Sequence, residues 1–310
     1  MRNALPFSLL LAVLLLSGCA SMQSGGGLSS VIAPDAKMQL VQEGFIFTEG
    51  PLGTPDGGLY FTDLREANRI YRMDAHGRIS VLREKTNTTN GLAYTPKGEL
   101  IGVESAGRRI VRIAANGDYS ELTRGTGATP MMLPNDLIAD AKGGIYFTDP
   151  GPRPIPKGRK HHVYYLPAGA TQAIIVDDTM TRPNGLTLTL DGRTLIVADT
   201  VDAELYAWDV QTDGTLRNRR VFMRLRDIPA GTDSGGDGMA IDNEGRFYVT
   251  AITGVQVFDR AGQYLGNIPV PKKPTNVAFS GPRKSVLYIT AQTGLYRIPT
   301  LTQGPARLGK

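Results

Sequence analysis

Short apolar runs separated by Gly-containing turns recur along the chain, and one arrangement of them appears six times. Each unit begins with a polar residue, followed in most units by Gly, an apolar run, a turn with Gly, and a second apolar run that ends in an acid or Thr. The units begin at Glu49, Asn90, Asn135, Asn184, Asp237 and Asn276. Their spacing of 39 to 53 residues is typical of a β-propeller with one four-stranded blade per repeat.

The remainder of each unit supplies a third and a fourth strand, in which apolar and polar residues alternate. The sixth unit ends before a fourth strand. Residues 38–42, upstream of the first unit, are predicted to pair beside residues 295–298 and so remove an exposed sheet edge. A mixed α/β fold is disfavoured, because no stretch after the N-terminal segment shows sustained apolar spacing of three and four residues. The sequence predicts an all-β, six-bladed β-propeller with four-stranded blades, the last blade closed by an N-terminal strand.

The six starting residues are predicted to ring one mouth of the central channel. In a blade the first strand is innermost and the second runs antiparallel to it, so the start of the first and the end of the second share a face. Long loops at residues 125–134, 150–161 and 226–236 open on that face. Asn-Gly is also a common tight-turn dipeptide, which is the alternative explanation for any single Asn of the ring.

Two of the ring residues, Glu49 and Asp237, are carboxylates. Like charges in a narrow channel repel each other and lose hydration unless a cation compensates them. Carboxylate and amide oxygens are the ligands that hard cations take in proteins. The ring therefore predicts a divalent metal site, with Ca²⁺ as the first choice and Mg²⁺, Mn²⁺ or Zn²⁺ as alternatives.

Composition narrows the chemistry. With 34 basic and 29 acidic residues the chain has a formal charge of +5, too small an excess to indicate a nucleic-acid partner. One cysteine and three histidines are too few for a disulfide scaffold or a Cys/His zinc site. The sequence contains no Gly-x-Ser-x-Gly elbow, which disfavours a serine hydrolase.

The N-terminal segment has the form of an export signal. Arg2 precedes an apolar run over residues 5–16, which is too short to span a bilayer. The run ends in the tetrapeptide LSGC, residues 16–19, which resembles the lipobox of bacterial lipoproteins, where the cysteine is lipidated. Ala20 rather than Asp after the cysteine favours the outer membrane by the sorting rule of that class. A soluble exported protein is the alternative.

These features divide the chain into four parts. Residues 1–18 are predicted to be a lipoprotein signal peptide, and residues 19–35 the lipidated Cys19 with a flexible linker. Residues 36–304 form the predicted propeller, and residues 305–310 a C-terminal tail. The protein is therefore expected in a bacterial cell envelope, anchored through Cys19 to the periplasmic face of the outer membrane.

Several motifs together carry a resemblance to a known family. The chain closely resembles the regucalcin, gluconolactonase and luciferin-regenerating enzyme family over nearly all of its length after the signal. The motifs are Glu49-Gly50-Pro51, Pro134-Asn135-Asp136, Arg182-Pro183-Asn184-Gly185-Leu186, and residues 147–150 and 236–242. The resemblance implies a six-bladed propeller with a divalent metal in its channel, and many members of the family hydrolyse lactones.

Matched by motif, the resemblance implies a metal site and a reaction. Glu49, Asn184 and Asp237 would be the metal ligands, and Asp237 would also be the general base. A metal in the channel can polarise a lactone carbonyl and lower the pKa of water, while a carboxylate beside it accepts the proton.

The same match implies substrate contacts. Asn135 would contact substrate or bound water, and Asn90 and Asp136 would also bind substrate. Sugar lactonases of the family carry Arg two residues before the position of Asn135, where this chain has Leu133. The predicted partners are thus a small-molecule lactone and, through Cys19, the membrane, with no nucleic acid and no evident protein partner.

Two other functions stay open. The first is a non-catalytic envelope lipoprotein whose propeller binds a small ligand or a protein. The second is an esterase similar to paraoxonase or strictosidine synthase, in which a histidine near the channel metal takes part. His161 and His162 are the candidates for that role, but successive strand residues point to opposite faces, so at most one would face the channel.

Lipidation is directly testable. Because Cys19 is the only thiol in the chain and completes the lipobox, Cys19→Ser should leave an unprocessed precursor that takes up no labelled fatty acid. Labelling of cells that express either form, followed by electrophoresis, measures this. Equal labelling of the variant and the natural protein would contradict the assignment.

Overall fold

The computed structural model describes residue 1 and residues 27–306, so that most of the predicted signal peptide, together with Cys19, lies outside the described part. Within residues 27–306 the strands form six antiparallel four-stranded sheets. The innermost strand of each sheet contacts that of the next, and the first contacts the sixth, so the sheets close into a ring. The predicted all-β, six-bladed propeller is confirmed.

The first three blades follow the chain from the channel outwards. Blade 1 contains β2 Thr48–Gly53, β3 Leu59–Asp63, β4 Arg69–Met73 and β5 Ile79–Glu84. Blade 2 contains β6 Thr89–Tyr94, β7 Leu100–Glu104, β8 Arg109–Ile113 and β9 Tyr119–Thr123. Blade 3 contains β10 Leu137–Ala139, β11 Ile145–Asp149, β12 His162–Leu166 and β13 Ile174–Asp177.

The other three blades keep the same order, except at the outer edge of the last. Blade 4 contains β14 Pro183–Leu188, β15 Thr194–Asp199, β16 Glu204–Val210 and β17 Leu216–Arg224. Blade 5 contains β18 Met239–Ile241, β19 Phe247–Ala251, β20 Gly254–Phe258 and β21 Tyr264–Ile268. Blade 6 contains β22 Asn276–Ser280, β23 Val286–Ala291, β24 Gly294–Pro299 and, outermost, β1 Gln39–Glu43.

The closing strand of blade 6 lies where the sequence predicts it, displaced by one residue. β1 pairs antiparallel with β24, with Gln39 opposite Arg297 and Glu43 opposite Gly294. The pairing covers the outer edge of β24, which would otherwise present unpaired backbone groups. It also joins the two ends of the folded chain in one sheet.

The apolar core lies between the blades. Within the described chain there are six clusters of buried apolar side chains, and each is shared by two adjacent blades. Every residue of the inner strand β6 is buried, whereas three of the five residues of the outer strand β9 are exposed. This gradient explains why the first two runs of each unit are almost wholly apolar and the later runs alternate.

The segment before β1 differs from the predicted linker. A short 3-10 helix, Leu28–Ser30, leads into Val31 and Ile32, which are buried in the cluster between blades 5 and 6. The carbonyl of Val31 accepts a hydrogen bond of 2.8 Å from the amide of Leu301. The linker predicted over residues 19–35 therefore cannot extend through residues 28–32, because burying these apolar side chains holds the backbone against the propeller.

The C-terminal boundary also differs slightly from the predicted residue 304. Pro305 is buried, and its carbonyl accepts a hydrogen bond of 2.7 Å from Lys284 Nζ. Lys284 ends the second short 3-10 helix, Pro282–Lys284. No helix among the described residues is long and apolar enough to cross a membrane.

The long loops meet on one face, as predicted. Arg159 donates a hydrogen bond of 2.7 Å to the carbonyl of Pro130, which joins the loop after β11 to the loop before β10. Arg153 forms an ion pair of 2.6 Å with Asp233, in the loop before β18. We call this side of the propeller the loop face; it surrounds the starts of the inner strands.

Candidate metal centre

The structure places all six predicted ring residues at the loop-face ends of the innermost strands. Four of them lie at the starts of strands, namely Glu49 in β2, Asn90 in β6, Asn184 in β14 and Asn276 in β22. Asn135 and Asp237 lie two residues before β10 and β18. Glu49, Asn90, Asn184 and Asn276 are buried, while Asn135 and Asp237 are half-buried. The ring is therefore a set of polar side chains with little access to water, lining the mouth of a channel whose walls are apolar strands.

Main-chain atoms next to these side chains link the blades around the ring. In five of the six junctions of the described chain, a donor from one blade bonds to a carbonyl at the start of the next. The bonds are Thr62 Oγ1 to Asn90 O (3.1 Å), Gly91 N to Asn135 O (3.0 Å), Thr148 Oγ1 to Asn184 O (2.8 Å), Gly238 N to Thr275 O (2.9 Å) and Thr275 Oγ1 to Thr48 O (2.8 Å).

Glycine follows four of the ring residues because adjacent inner strands approach too closely for a side chain. A Cβ added to Gly185 would lie 2.1 Å from the carbonyl oxygen of Asp237, and one on Gly50 would lie 2.1 Å from that of Asn90. A Cβ added to Gly91 would lie 2.3 Å from Asp136 Oδ1. Gly91 and Gly185 lie inside strands. The alternative explanation of Asn-Gly as a turn is therefore wrong at these two positions.

Asn184 carries a buried amide oxygen that has no hydrogen-bond donor among the described residues. Its Nδ2 donates a hydrogen bond of 2.9 Å to Thr200 Oγ1, which sets the orientation of the amide. Its Oδ1 is buried, and no donor in the described part of the chain bonds to it. A buried amide oxygen without a partner costs free energy unless a ligand satisfies it. This atom therefore supports a cation at the ring.

Glu49 and Asn184 lie on the inner strands β2 and β14. The two residues belong to blades 1 and 4, which are opposite in a ring of six. Glu49 Oε2 accepts hydrogen bonds from Gly50 N (2.9 Å) and from Asn276 Nδ2 (3.1 Å), so the carboxylate is held in place. An ion on the channel axis could be approached from both sides by these two residues.

Asp237 is the neighbour of Asn184 in the ring. Its amide donates a hydrogen bond of 3.2 Å to Thr250 O, and its carbonyl packs on Gly185. Glu49, Asn184 and Asp237 thus supply two carboxylates and one amide oxygen, a set that suits a hard divalent cation. Among residues 27–306 no group of three or more His, Cys, Asp or Glu side chains could hold a metal ion.

The predicted substrate residues have different surroundings. Asn90 and Asn135 are ring members on adjacent blades, and Asn135 is the more exposed of the two. Asp136 is buried, with Oδ1 2.9 Å from the amide of Leu137 and in contact with Gly91. It lies between the inner strands of blades 2 and 3, and its role in substrate binding remains a prediction.

The acids that end the second strands have a role that sequence reasoning missed. Asp199 accepts a hydrogen bond of 2.9 Å from the amide of Arg182, and Asp63 accepts one of 2.7 Å from that of Phe47. Asp149 likewise accepts from the amide of Leu133 at 2.8 Å. Each buried carboxylate therefore fixes the backbone two residues before a ring residue. The acid that ends the second apolar run of these units, within Phe-Thr-Asp at residues 61–63 and 147–149, was the available signal.

Arg182 is a second residue whose role the sequence did not reveal, although it begins the motif that contains Asn184. Its guanidinium donates to the carbonyls of Pro150 (3.2 Å) and Gly151 (3.1 Å) on the loop face. Burial lowers the pKa of Arg182 below its usual value, and nearby Arg153 acts in the same direction. The carboxylate of Asp237 is among those that oppose this shift, so the two charges interact.

His161 and His162 lie on the loop face in blade 3. His162 begins the third strand of blade 3, where it is buried with Nδ1 3.3 Å from the Tyr164 hydroxyl. Burial lowers its pKa, which favours the neutral form. His161 Nδ1 lies 2.6 Å from the carbonyl of Pro150. Neither side chain lies on an inner strand, which disfavours the histidine-based esterase alternative.

Comparison with known proteins places these observations in context. The sequence profile of the SMP-30/gluconolactonase/LRE-like region matches residues 22–293. A pentonolactonase from Haloferax volcanii is 29% identical over 252 residues, which cover 79% of this chain and 81% of the relative. A structure of a gluconolactonase from Xanthomonas campestris is 31% identical, with a TM-score of 0.79 and coverage of 88% of this chain and 92% of that one.

A third similar protein shares the fold. It is a calcium-binding protein, regucalcin, from Agrobacterium tumefaciens, with a TM-score of 0.73, 19% identity, and coverage of 88% of this chain and 96% of that one. At this identity the likeness shows the fold alone.

The close approach of the inner strands can be tested at one glycine. Gly185→Ala places a methyl group against the backbone of Asp237, so blades 4 and 5 must separate, and we expect a loss of about 1–3 kcal/mol in the free energy of unfolding. Gly127→Ala is the matched control, because the added Cβ meets nothing closer than 3.5 Å. Urea unfolding of both variants measures the difference, and equal stabilities would contradict the packing.

Proposed function

We propose that this protein, which belongs to the SMP-30/gluconolactonase/LRE-like family, hydrolyses a lactone at the ring of polar residues in its channel. The names of two relatives, a gluconolactonase and a pentonolactonase, support this class of reaction. The single observation that carries the proposal is the buried, unpartnered Oδ1 of Asn184, because a buried amide oxygen without a donor costs free energy unless a ligand satisfies it.

Glu49, Asn184 and Asp237 would hold a divalent cation, with Ca²⁺ favoured by the all-oxygen donor set. When bound, such a cation supplies Lewis acidity that polarises the ester carbonyl and makes water more acidic. The choice among Ca²⁺, Mg²⁺, Mn²⁺ and Zn²⁺ belongs to the proposal.

Asp237 would act as the general base. Its carboxylate is half-buried at the channel mouth, and hydrogen bonding of its amide to Thr250 O fixes its backbone. As water attacks the lactone carbonyl, one proton passes to this carboxylate. The tetrahedral carbon then re-forms its carbonyl and expels the ring oxygen, which takes up a proton. The product is an open hydroxy acid, and no covalent bond to the protein is formed.

Asn135 and Asn90 would orient the substrate. Both amides stand at the loop-face end of the channel on the blades between Glu49 and Asn184. The carbonyl of Asn135 is bonded to Gly91 N, which holds the backbone while the side chain remains half-buried. An amide in that place can donate to the hydroxyl or carbonyl oxygens of a lactone.

The non-catalytic lipoprotein alternative has less support. A binding scaffold has no need for two carboxylates held around an unpartnered amide oxygen, since such groups are costly to bury. Attachment to the bacterial envelope through Cys19 is a separate part of our proposal, which the fatty-acid labelling described above tests.

Removal of the cation and substitution of Asp237 should each impair hydrolysis. Chelation should abolish lactone hydrolysis and lower the melting temperature, because a ligand bound only by the folded state stabilises it, and Ca²⁺ should restore both. Asp237→Ala should lose at least about 10²-fold in kcat/KM, the lower range for a positioned general base. Assays with gluconolactone and pentonolactones measure the rates, and differential scanning fluorimetry measures the stability.

Two variants serve as controls for this experiment. Asn135→Ala should weaken turnover but keep the stabilisation by Ca²⁺. Asp233→Ala removes another carboxylate of the loop face, one that is paired with Arg153 outside the ring. It should leave turnover and the stabilisation by Ca²⁺ nearly unchanged. Full hydrolysis by Asp237→Ala, or activity and melting temperature that ignore the chelator, would contradict the proposed function.

A further inference from the structure

Thr200 is the hydrogen-bond partner of the Asn184 amide. It follows Asp199, which ends the second strand of blade 4, and its Oγ1 accepts the bond of 2.9 Å from Asn184 Nδ2. A hydroxyl can also donate, so an amide turned over would bond to Thr200 through Oδ1 instead. The orientation in the structure is the one that leaves the amide oxygen, the end that can bind a cation, without a donor among the described residues.

Asn276 shows that its partners decide which end of a ring amide stays open to a ligand. Its Oδ1 accepts a hydrogen bond of 2.9 Å from Val277 N, and its Nδ2 donates one of 3.1 Å to Glu49 Oε2. Both ends of this amide are therefore satisfied within the protein. Asn184 begins the equivalent strand of another blade, yet its amide is held by the Thr200 hydroxyl at the nitrogen end.

The main chain fixes the position of Thr200. Its amide donates a hydrogen bond of 3.0 Å to Arg182 O, and its carbonyl accepts one of 3.0 Å from Gly235 N. Arg182 lies two residues before Asn184, and Gly235 lies two residues before Asp237. Thr200 therefore joins the segments that lead into two neighbouring ring residues, and its hydroxyl has little freedom to move with the amide.

We infer that Thr200 is a positioning residue of the metal centre, whose hydroxyl holds the Asn184 amide so that Oδ1 is the atom left for the cation. The inference rests on the proposed function, in which Asn184 is a metal ligand. With a cation on Oδ1, loss of the hydroxyl would leave the buried Nδ2 without its acceptor, which costs free energy. Without a cation the amide is free to turn to another partner. The cost therefore falls mainly on the metal-bound state and weakens cation binding.

Calorimetric titration of chelator-treated protein with Ca²⁺ provides the test. Thr200→Val has nearly the shape of the natural residue but neither accepts nor donates a hydrogen bond. We expect its Kd for Ca²⁺ to rise about 10- to 100-fold, the usual effect of removing a group that orients a metal ligand. Thr200→Ser keeps the hydroxyl and should retain most of the natural affinity. Should Thr200→Val fail to fold, Thr200→Ala removes the same hydroxyl and should show the same loss.

Ser105→Ala is the matched control. Ser105 follows the second strand of blade 2, where its amide donates a hydrogen bond of 3.1 Å to Thr88 O, the counterpart of the bond from Thr200 to Arg182. Its hydroxyl donates to the carbonyl of Pro134 at 2.6 Å and not to a ring side chain. The variant should lower the melting temperature of the metal-free protein but leave the Kd for Ca²⁺ nearly unchanged. A loss of affinity equal to that of Thr200→Val would rule out a specific role for Thr200.

Substitution of Asn184 itself separates orientation from any other effect of Thr200. A carboxylate presents an oxygen whichever way it turns, so an Asn184→Asp protein should not need the orienting hydroxyl. In that background Thr200→Val should change the Kd for Ca²⁺ by less than about twofold, the limit for independent sites. A loss as large as in the natural background would contradict the inference, because it would not depend on the amide.

The outcomes distinguish this inference from the function on which it rests. Absence of Ca²⁺ binding by the natural protein would overturn the metal site and this inference with it. Ca²⁺-dependent lactone hydrolysis, with equal Kd values for Thr200→Val and the natural protein, would overturn only the role of Thr200. Ca²⁺ binding that weakens in Thr200→Val, in a protein that hydrolyses no lactone, would support the positioning role and overturn the lactonase proposal.

Discussion

The packing of the six inner strands at the loop face is the constraint on which the rest of the molecule depends. Glycines admit the neighbouring backbone to within about 2 Å of where a Cβ would lie, and donors such as Thr148 Oγ1 bond to the carbonyl that begins the next blade. Strands held this closely bring one polar side chain from each blade to a single mouth. The same packing excludes water from those side chains, which makes an unpartnered oxygen such as Asn184 Oδ1 costly unless a ligand binds.

Much of the fold could be predicted because the blades repeat. Six units with the same order of polar residue, apolar run, Gly turn and apolar run predict six sheets, and the missing last strand predicts that residues 38–42 close the ring. The linker boundary could not be predicted in this way. Val31 and Ile32 stand outside the repeat, next to a Gly- and Ser-rich stretch, and their burial depends on a gap between blades 5 and 6 that only the folded structure shows.

The sequence predicts which residues form the site, but it does not predict which contacts hold them in place. Position in the repeat places Glu49, Asn184 and Asp237 in one ring, whatever their separation in sequence. The repeat does not show which partners a side chain meets. Asp199 anchors the amide of Arg182 instead of facing the channel, and Arg182 bonds to two carbonyls on another blade. Contacts between blades carry no periodic signal in the sequence, so these roles became visible only from the coordinates.

The most direct test of the central claim is the position of the ion itself. Crystals grown with Ca²⁺ and measured at long wavelength would locate calcium by its anomalous scattering. The account predicts one peak on the channel axis, with oxygens of Glu49, Asn184 and Asp237 at about 2.3–2.6 Å. A ring that holds only water at saturating Ca²⁺, or a calcium ion bound elsewhere in the protein, would contradict it.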